Sequence, residues 1–204
     1  MSNTIFGKLI AVTDWGGVEW STMSRMFSSA DNLIILPSTP PNTSNVTVMG
    51  GMFQWASSFN QPVNDWDTSN VTNMASIFSN ARSFNQPLNN WDTSNVITME
   101  GMFWSATSFN QNINNWDVSN VTNMNNMFNN ATLFNQPLNN WDVGNVTIMS
   151  NMFDRAKSFN QNINTWNVSS VETMTNMFLD ATSFNQPLNN WNVSNVIAMY
   201  KMFN

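Results

Sequence analysis

The sequence contains no cysteine and no histidine among its 204 residues. Without cysteine the chain has no disulfide framework and no thiolate metal site. Without histidine it lacks the commonest general base and the commonest metal ligand of proteins, and a Ser-His-Asp triad is excluded. Neither GxGxxG nor GxxxxGK[ST] occurs. We therefore expect a protein that is not an enzyme and that holds no cofactor.

Charged residues are also scarce, at 9% of the chain, against about 25% in a typical soluble domain. The net charge is −6, and the six Lys and Arg are scattered along the sequence, so we expect no nucleic-acid partner. No apolar run approaches the roughly 18 residues of a membrane span. The apolar stretch 9–12 is too short for the core of a secretory signal. We expect no membrane insertion and a location on an extracellular surface or a virion, with the export route open.

What the sequence has instead is a repeat. Tryptophan recurs at a constant interval, and phenylalanine, valine and alanine columns keep the same spacing. The first unit is longer by one position, since Met23 and Phe27 match Met49 and Phe53. A fixed period of about 25 residues is typical of stacked-repeat proteins. The tryptophan column consists of Trp66, Trp91, Trp116, Trp141, Trp166 and Trp191.

The pattern within one unit predicts a short helix and a short strand. Apolar residues at 121, 124, 127, 128 and 131 form one helical face. Pro137 blocks a helix, and the apolar residues after it favour an extended segment. The predicted fold is therefore an α/β solenoid, a right-handed leucine-rich-repeat-like coil with one short helix and one short parallel strand in each repeat. Residues 1–19 are predicted to be a nonrepeating cap, and residues 20–204 a single domain of about eight repeats with the last one truncated.

Two residue types that attract attention have core packing as their simplest explanation. Apart from Met1, all methionines occupy two columns beside a phenylalanine column, so we interpret them as core residues rather than soft-metal ligands. The tryptophan column lies between apolar columns and is likewise expected to be buried.

The polar columns allow several interpretations. Asp67, Asp92, Asp117 and Asp142 align with Asn167 and Asn192, which favours capping of the following helix over a calcium site. Calcium on this column stays open. An Asn-Gln column beginning at Asn60 predicts a ladder of side-chain amides. Several N-x-S/T triplets occur because they are part of the repeat unit, so they are only a weak indication of glycosylation.

The unit W-D-[VT]-S-N-V-T-x-M-x-x-M-F-x-x-A-x-x-F-N-Q resembles the repeat of bacterial surface proteins grouped as the BspA-like leucine-rich repeat family. The similarity covers residues 15–204. It implies a right-handed leucine-rich-repeat-like solenoid used for adhesion or binding, and it transfers no catalytic residue.

The ends of the repeat array carry the functional hypothesis. The sequence stops within a repeat, and its first residues are apolar but do not repeat. We expect a structural subunit of a filament, fibre or virion decoration, with the open end covered by a head-to-tail copy or another subunit. The alternative is a monomeric adhesin that binds a glycan or a protein. The candidate interaction residues are Ile5, Phe6, Leu9, Ile10, Trp20, Trp55, Trp104, Tyr200, Lys201, Met202 and Phe203.

Overall fold

The chain winds into successive coils that stack in parallel. The computed structural model describes residues 8–203. Each coil pairs with the next through one isolated parallel bridge, as between Val48 and Asn73 and then between Asn73 and Thr98. The first interval, from Thr22 to Val48, is longer by one position, and Ala11 pairs separately with Ile35. Numbered from the first methionine column, the coils are 23–48 (coil 1), 49–73, 74–98, 99–123, 124–148, 149–173, 174–198 (coil 7) and the start of coil 8 at 199–203.

The predicted α/β solenoid is wrong. Apart from a helical turn at Lys8, residues 8–203 contain no helix, and no strand extends beyond a single bridge pair. The leucine-rich-repeat-like architecture, with one helix and one strand per repeat, is therefore overturned. Turns and irregular extended segments build each coil instead.

Backbone hydrogen bonding explains why residues 124–131 do not form the predicted helix. Met127, Asn129 and Ala131 donate to carbonyls three residues earlier, at 3.2, 3.1 and 3.0 Å. The N–H groups between them donate to the next coil: Phe128 to Met152 at 2.9 Å and Asn130 to Asp154 at 2.6 Å. An α-helix would direct every N–H to the fourth residue back and leave none for the neighbouring coil.

Left-handed residues enforce this choice. Asn126 has φ 58° and Asn130 has φ 56°, and a positive φ at the third position is what a type II turn requires. Glycine and asparagine tolerate this region best, whereas it interrupts a right-handed helix. Successive four-residue turns, each closed by a bond from residue i+3 to residue i, return side chains to one face much as a helix does. The apolar spacing therefore fits both structures.

The predicted strand around residues 138–143 is also absent. The parallel bridge of this coil lies at Ile148, and residues 138–143 take part in no bridge. At this part of the coil a side chain makes the connection. The indole N–H of Trp141 donates to the carbonyl of Ile113 in the preceding coil at 3.0 Å. Equivalent bonds are made by Trp91, Trp116, Trp166 and Trp191.

The core consists of aromatic columns that run along the stack. Phe78 stacks on Phe103 of the next coil at 5.7 Å between ring centroids and 9° between planes. Phe78 also stacks on Phe84 of its own coil at 3.9 Å, so the two phenylalanine columns form one continuous aromatic layer. Offset stacking of this kind contributes about 0.5–1.5 kcal/mol per pair beyond burial.

The predicted burial of the methionine and tryptophan columns is confirmed. Met74 through Met177 in both columns are at most 1% exposed, and Trp66 through Trp166 are 3–5% exposed. Exceptions occur at the two ends of the stack, where Met26 and Trp191 are half-buried and Met199 is 40% exposed.

Replacing Gly101 with alanine should destabilise the protein by about 1–2 kcal/mol, because φ is 58° there and an L side chain is strained in that region. The added Cβ would also lie 3.3 Å from the Ser76 hydroxyl oxygen. Urea unfolding followed by tryptophan fluorescence measures the loss. Gly101→Asn is the matched control, since Asn126 and Asn151 occupy the same column with positive φ. Equal losses for alanine and asparagine would contradict the left-handed turn.

Candidate interaction surfaces

The aspartate column stabilises turns rather than helices. Asp117 Oδ1 accepts from the Ser119 backbone N–H at 2.9 Å and from the Ser119 hydroxyl at 2.6 Å. Asn167 accepts from Ser169 in the same way, at 3.2 and 2.7 Å. This explains why either an amide or a carboxylate can occupy this column. The prediction of helix capping is thus wrong, because no helix follows these residues. The side chains do accept from backbone N–H groups, but those groups belong to turns.

These hydrogen bonds also affect the acidity of two members of the column, Asp117 and Asp67. The Ser119 hydroxyl, and then its N–H, hold the pKa of Asp117 below its usual value, and Ser69 does the same for the pKa of Asp67. Among residues 8–203, no group of three or more acidic side chains is placed to hold a metal ion.

The Asn-Gln column forms the predicted amide ladder. Asn110 Oδ1 accepts from the backbone N–H of Asn135 at 2.9 Å and from Gln136 Nε2 at 3.1 Å, both in the next coil. The same arrangement joins Asn85 to Asn110 and Gln111. Each asparagine thus links two coils through side-chain and backbone bonds.

Three of the four N-V-T triplets have an asparagine that is already engaged. Asn120 Nδ2 donates to the Ser94 carbonyl of the preceding coil at 2.7 Å, and Asn70 and Asn145 make equivalent bonds. Glycosylation would modify the nitrogen that makes this bond, so these positions serve the stack.

The N-terminal candidates lie at the coil 1 end of the stack. Ile5 and Phe6 fall outside the described residues. Leu9 is half-buried against the core, while Ile10 is 56% exposed. Trp20 packs against the core, and its buried indole nitrogen has no hydrogen-bond partner among the described residues.

The C-terminal candidates lie on coil 8. Tyr200 is 68% exposed and carries the Lys201 ammonium 5.4 Å from its ring centroid. Met202 is only 7% exposed and belongs to the core, which removes it from the accessible surface. Phe203 is 53% exposed on one side and stacks on Phe178 at 5.5 Å on the other.

Trp55 and Trp104 occupy a third location, on coils 2 and 4. They are 49% and 41% exposed. The sequence candidates therefore do not converge on one site. They divide into two ends of the stack and one flank.

Sequence reasoning missed Asp154, which is only 5% exposed. Its Oδ2 lies 3.3 Å from Asn129 Nδ2 and 3.7 Å from Arg155, while its buried Oδ1 has no hydrogen-bond partner. Burial raises the pKa of Asp154, and nearby Asp180 adds to the increase, against the lowering effect of Arg155. The sequence could have identified Asp154, because it is the one charged residue in a column that is otherwise uncharged in coils 1–7.

Comparison with known proteins gives a family. A family described as "Mycoplasma protein of unknown function, DUF285" matches residues 21–132 and residues 110–204. The chain belongs to this DUF285 family. No curated protein and no solved structure matches the chain. Within the described part of this DUF285 protein, no helix is long and apolar enough to cross a membrane.

Replacing Asp154 with asparagine should stabilise the protein at neutral pH. Because the folded-state pKa of Asp154 is raised, its favourable contribution is complete below the unfolded pKa and is lost as pH rises through the folded pKa. The asparagine variant avoids that loss, so its advantage should shrink towards pH 3. We expect a Tm increase of about 2–4 °C, measured by thermal unfolding between pH 3 and pH 7.

Asp117→Asn is the matched comparison with the opposite sign. The folded-state pKa of Asp117 is lowered, so its contribution is present at neutral pH and disappears as pH falls through the folded pKa. The variant should have a slightly lower Tm at pH 7 and an unchanged Tm at the lowest pH. Shifts of the same sign for both variants would contradict this assignment.

Replacing Gly144 with serine should stabilise the protein. Coils 1–4, 6 and 7 all carry serine at this position, and Ser119 bonds its aspartate at 2.6 Å. The new hydroxyl should reach Asp142 and contribute about 0.5–1.5 kcal/mol, measured by urea unfolding. Gly144→Ala separates the hydroxyl's contribution from the loss of glycine flexibility. A serine variant no more stable than the alanine variant would argue against the bond.

Proposed function

We propose that this protein is a non-enzymatic structural subunit that joins copies of itself head to tail, in a filament, fibre or decoration layer on a cell or virion surface. The observation that carries the proposal is the open face formed by coils 7 and 8. This face presents the same contacts that join coils in the interior.

Apolar core columns are exposed on this face. Val193 is 40% exposed, whereas Val168 in the same column is 1% exposed. Met199 is 40% and Phe203 53% exposed, against 0% for Met174 and 3% for Phe178. Soluble monomers rarely expose contiguous apolar surface of this kind, so covering the face is favourable.

Backbone donors are exposed on the same face. Met174, Asn176 and Phe178 donate their N–H groups to carbonyls of residues 198, 200 and 202 in the next coil, at 2.8–2.9 Å. The equivalent donors are the N–H groups of residues 199, 201 and 203, for which residues 8–203 provide no acceptor. A partner that continues the stack would satisfy them.

The opposite end of the stack offers matching acceptors. In the interior, the carbonyls of Val48, Gly50 and Met52 accept from the preceding coil at 2.9–3.0 Å. Their coil 1 equivalents are the carbonyls of residues 22, 24 and 26, which receive no N–H from any described residue. In a head-to-tail contact the donors of one copy would face these acceptors of a second copy, beside residues 9–20, whose Trp15 already packs on Phe27 at 6.2 Å between ring centroids. Such a heterologous contact produces filaments or rings.

Sedimentation velocity over a range of concentrations tests this contact. The unaltered protein should form species larger than a monomer, and Val193→Lys combined with Met199→Lys should weaken association at least 100-fold. Burying unpaired lysines in an apolar contact costs several kcal/mol, and about 1.4 kcal/mol corresponds to a factor of ten. Ile97→Lys is the control, because Ile97 is 51% exposed but lies in coil 3, away from this face.

A monomer at high concentration, or equal weakening by Ile97→Lys, would contradict head-to-tail joining. The first of these results would favour the rival function, a monomeric adhesin that binds through its flank. Negative-stain microscopy distinguishes a filament from a ring once association is established.

A further inference from the structure

Trp55 and Trp104 interrupt the repeat on one flank of the stack. They belong to two adjacent columns, which otherwise hold small or polar residues in coils 1–5. In coil 3, Ser79 aligns with Trp104 and Asn80 aligns with Trp55. The flank therefore forms equally well without tryptophan, and the two indoles contribute nothing that the coil needs.

Trp55 is held in an unfavourable conformation. Its φ is 63°, in the left-handed region, where a bulky residue is uncommon and costs about 1–2 kcal/mol relative to the right-handed region. Asn80 and Asn130 occupy the same column with φ 59° and 56°, and asparagine tolerates this conformation better. Strained residues that structure does not require concentrate at binding sites.

The stack fixes the spacing of the two tryptophan backbones along its axis. The N–H of Trp55 donates to the Ser79 carbonyl at 2.7 Å, and the N–H of Asn80 donates to the Trp104 carbonyl at 2.6 Å. One coil therefore separates the two tryptophans. With neighbouring strands about 4.8 Å apart, the two tryptophan backbones lie roughly 10 Å apart along the axis, close to the repeat of two sugar rings in an extended β-linked polysaccharide.

The two columns that hold the indoles are polar, and charged side chains near them, such as Arg25 beside Gly51 and Asp31 on Ser57, belong to other columns. Both columns are uncharged from coil 1 to coil 5, and their charged residues, Asp154, Arg155 and Asp180, occur in coils 6 and 7. Arg82 and Glu100 lie outside these columns. Between the indoles, Ser79 and Asn80 are buried at 0% and 5% exposure and hydrogen-bond each other at 3.3 Å.

We propose that this flank binds a neutral, linear polysaccharide whose alternate pyranose rings stack on Trp55 and Trp104. The π-face of an indole is electron-rich and attracts the polarised C–H groups on the face of a sugar ring. A protein partner would require a contiguous, well-packed apolar centre, whereas these indoles are isolated from each other. The site is independent of the open face on coils 7 and 8.

Isothermal titration with cellohexaose, N-acetylchitohexaose and mannohexaose, supported by tryptophan fluorescence, tests the site. We expect at least one hexasaccharide to bind the unaltered protein. Trp55→Asn and Trp104→Asn should each weaken that binding about tenfold, since stacking on one aromatic contributes about 1–3 kcal/mol in the analogous case of nucleic-acid bases. The double variant should show no binding.

Matched controls separate this site from folding and from self-association. Asparagine already occupies both columns in other coils, so the variants should unfold at the same urea concentration as the parent or a higher one. Leu133→Ser removes another exposed apolar side chain, 55% exposed, at a position where other coils carry serine, and should leave glycan binding unchanged. The Val193→Lys, Met199→Lys protein should also bind the hexasaccharide normally, whether or not the parent associates.

Three results would overturn the proposal. One is a parent protein that binds none of the three hexasaccharides. Another is a folded double variant that binds as tightly as the parent. The third is a protein ligand whose binding requires both tryptophans while no hexasaccharide binds, which would assign the flank to a protein partner.

Discussion

The alternation of backbone hydrogen bonds in the turn segments is the constraint on which the stack depends. Every second N–H closes a turn within its own coil, and the N–H groups between them donate to the next coil. This division leaves no backbone N–H groups free to form a helix. It still provides hydrogen-bond partners for N–H and C=O groups that would otherwise be buried without one. It also fixes the register between coils, because a shift of one residue would direct inter-coil donors to the wrong carbonyls.

Register in turn determines the side-chain columns. Once coils are aligned, each phenylalanine meets a phenylalanine and each Asn-Gln pair meets another, as in Phe78 on Phe103 and Asn110 below Gln136. Every coil contacts only its neighbours, so stability depends on identical interfaces added one after another. The first and last described coils therefore differ from those between them, because each has a described neighbour on one side only.

Much of this arrangement could be predicted from the sequence, and the part that could not has a definite physical reason. Residues that recur with the period and are apolar, such as Phe103 and Met124, are buried as expected. The helix prediction failed because apolar spacing reports which face a residue occupies and not which carbonyl its N–H reaches. Gly101 and Asn126 held the missing information, since residues tolerant of positive φ recur at this position. Asp154 was missed because its burial depends on neighbours in adjacent coils.

A frame of this kind restricts where function can arise. Core and ladder positions must repeat, because each one contacts its own equivalent in the next coil. Only flank positions and the two ends can change without breaking the register, and Trp55, Trp104 and Asp154 are such departures on the flank. Catalysis requires unlike groups that converge at one point, whereas stacking brings like groups together at a fixed interval. Both proposed partners, another stack of coils and a linear polysaccharide, repeat at an interval that such a stack can match.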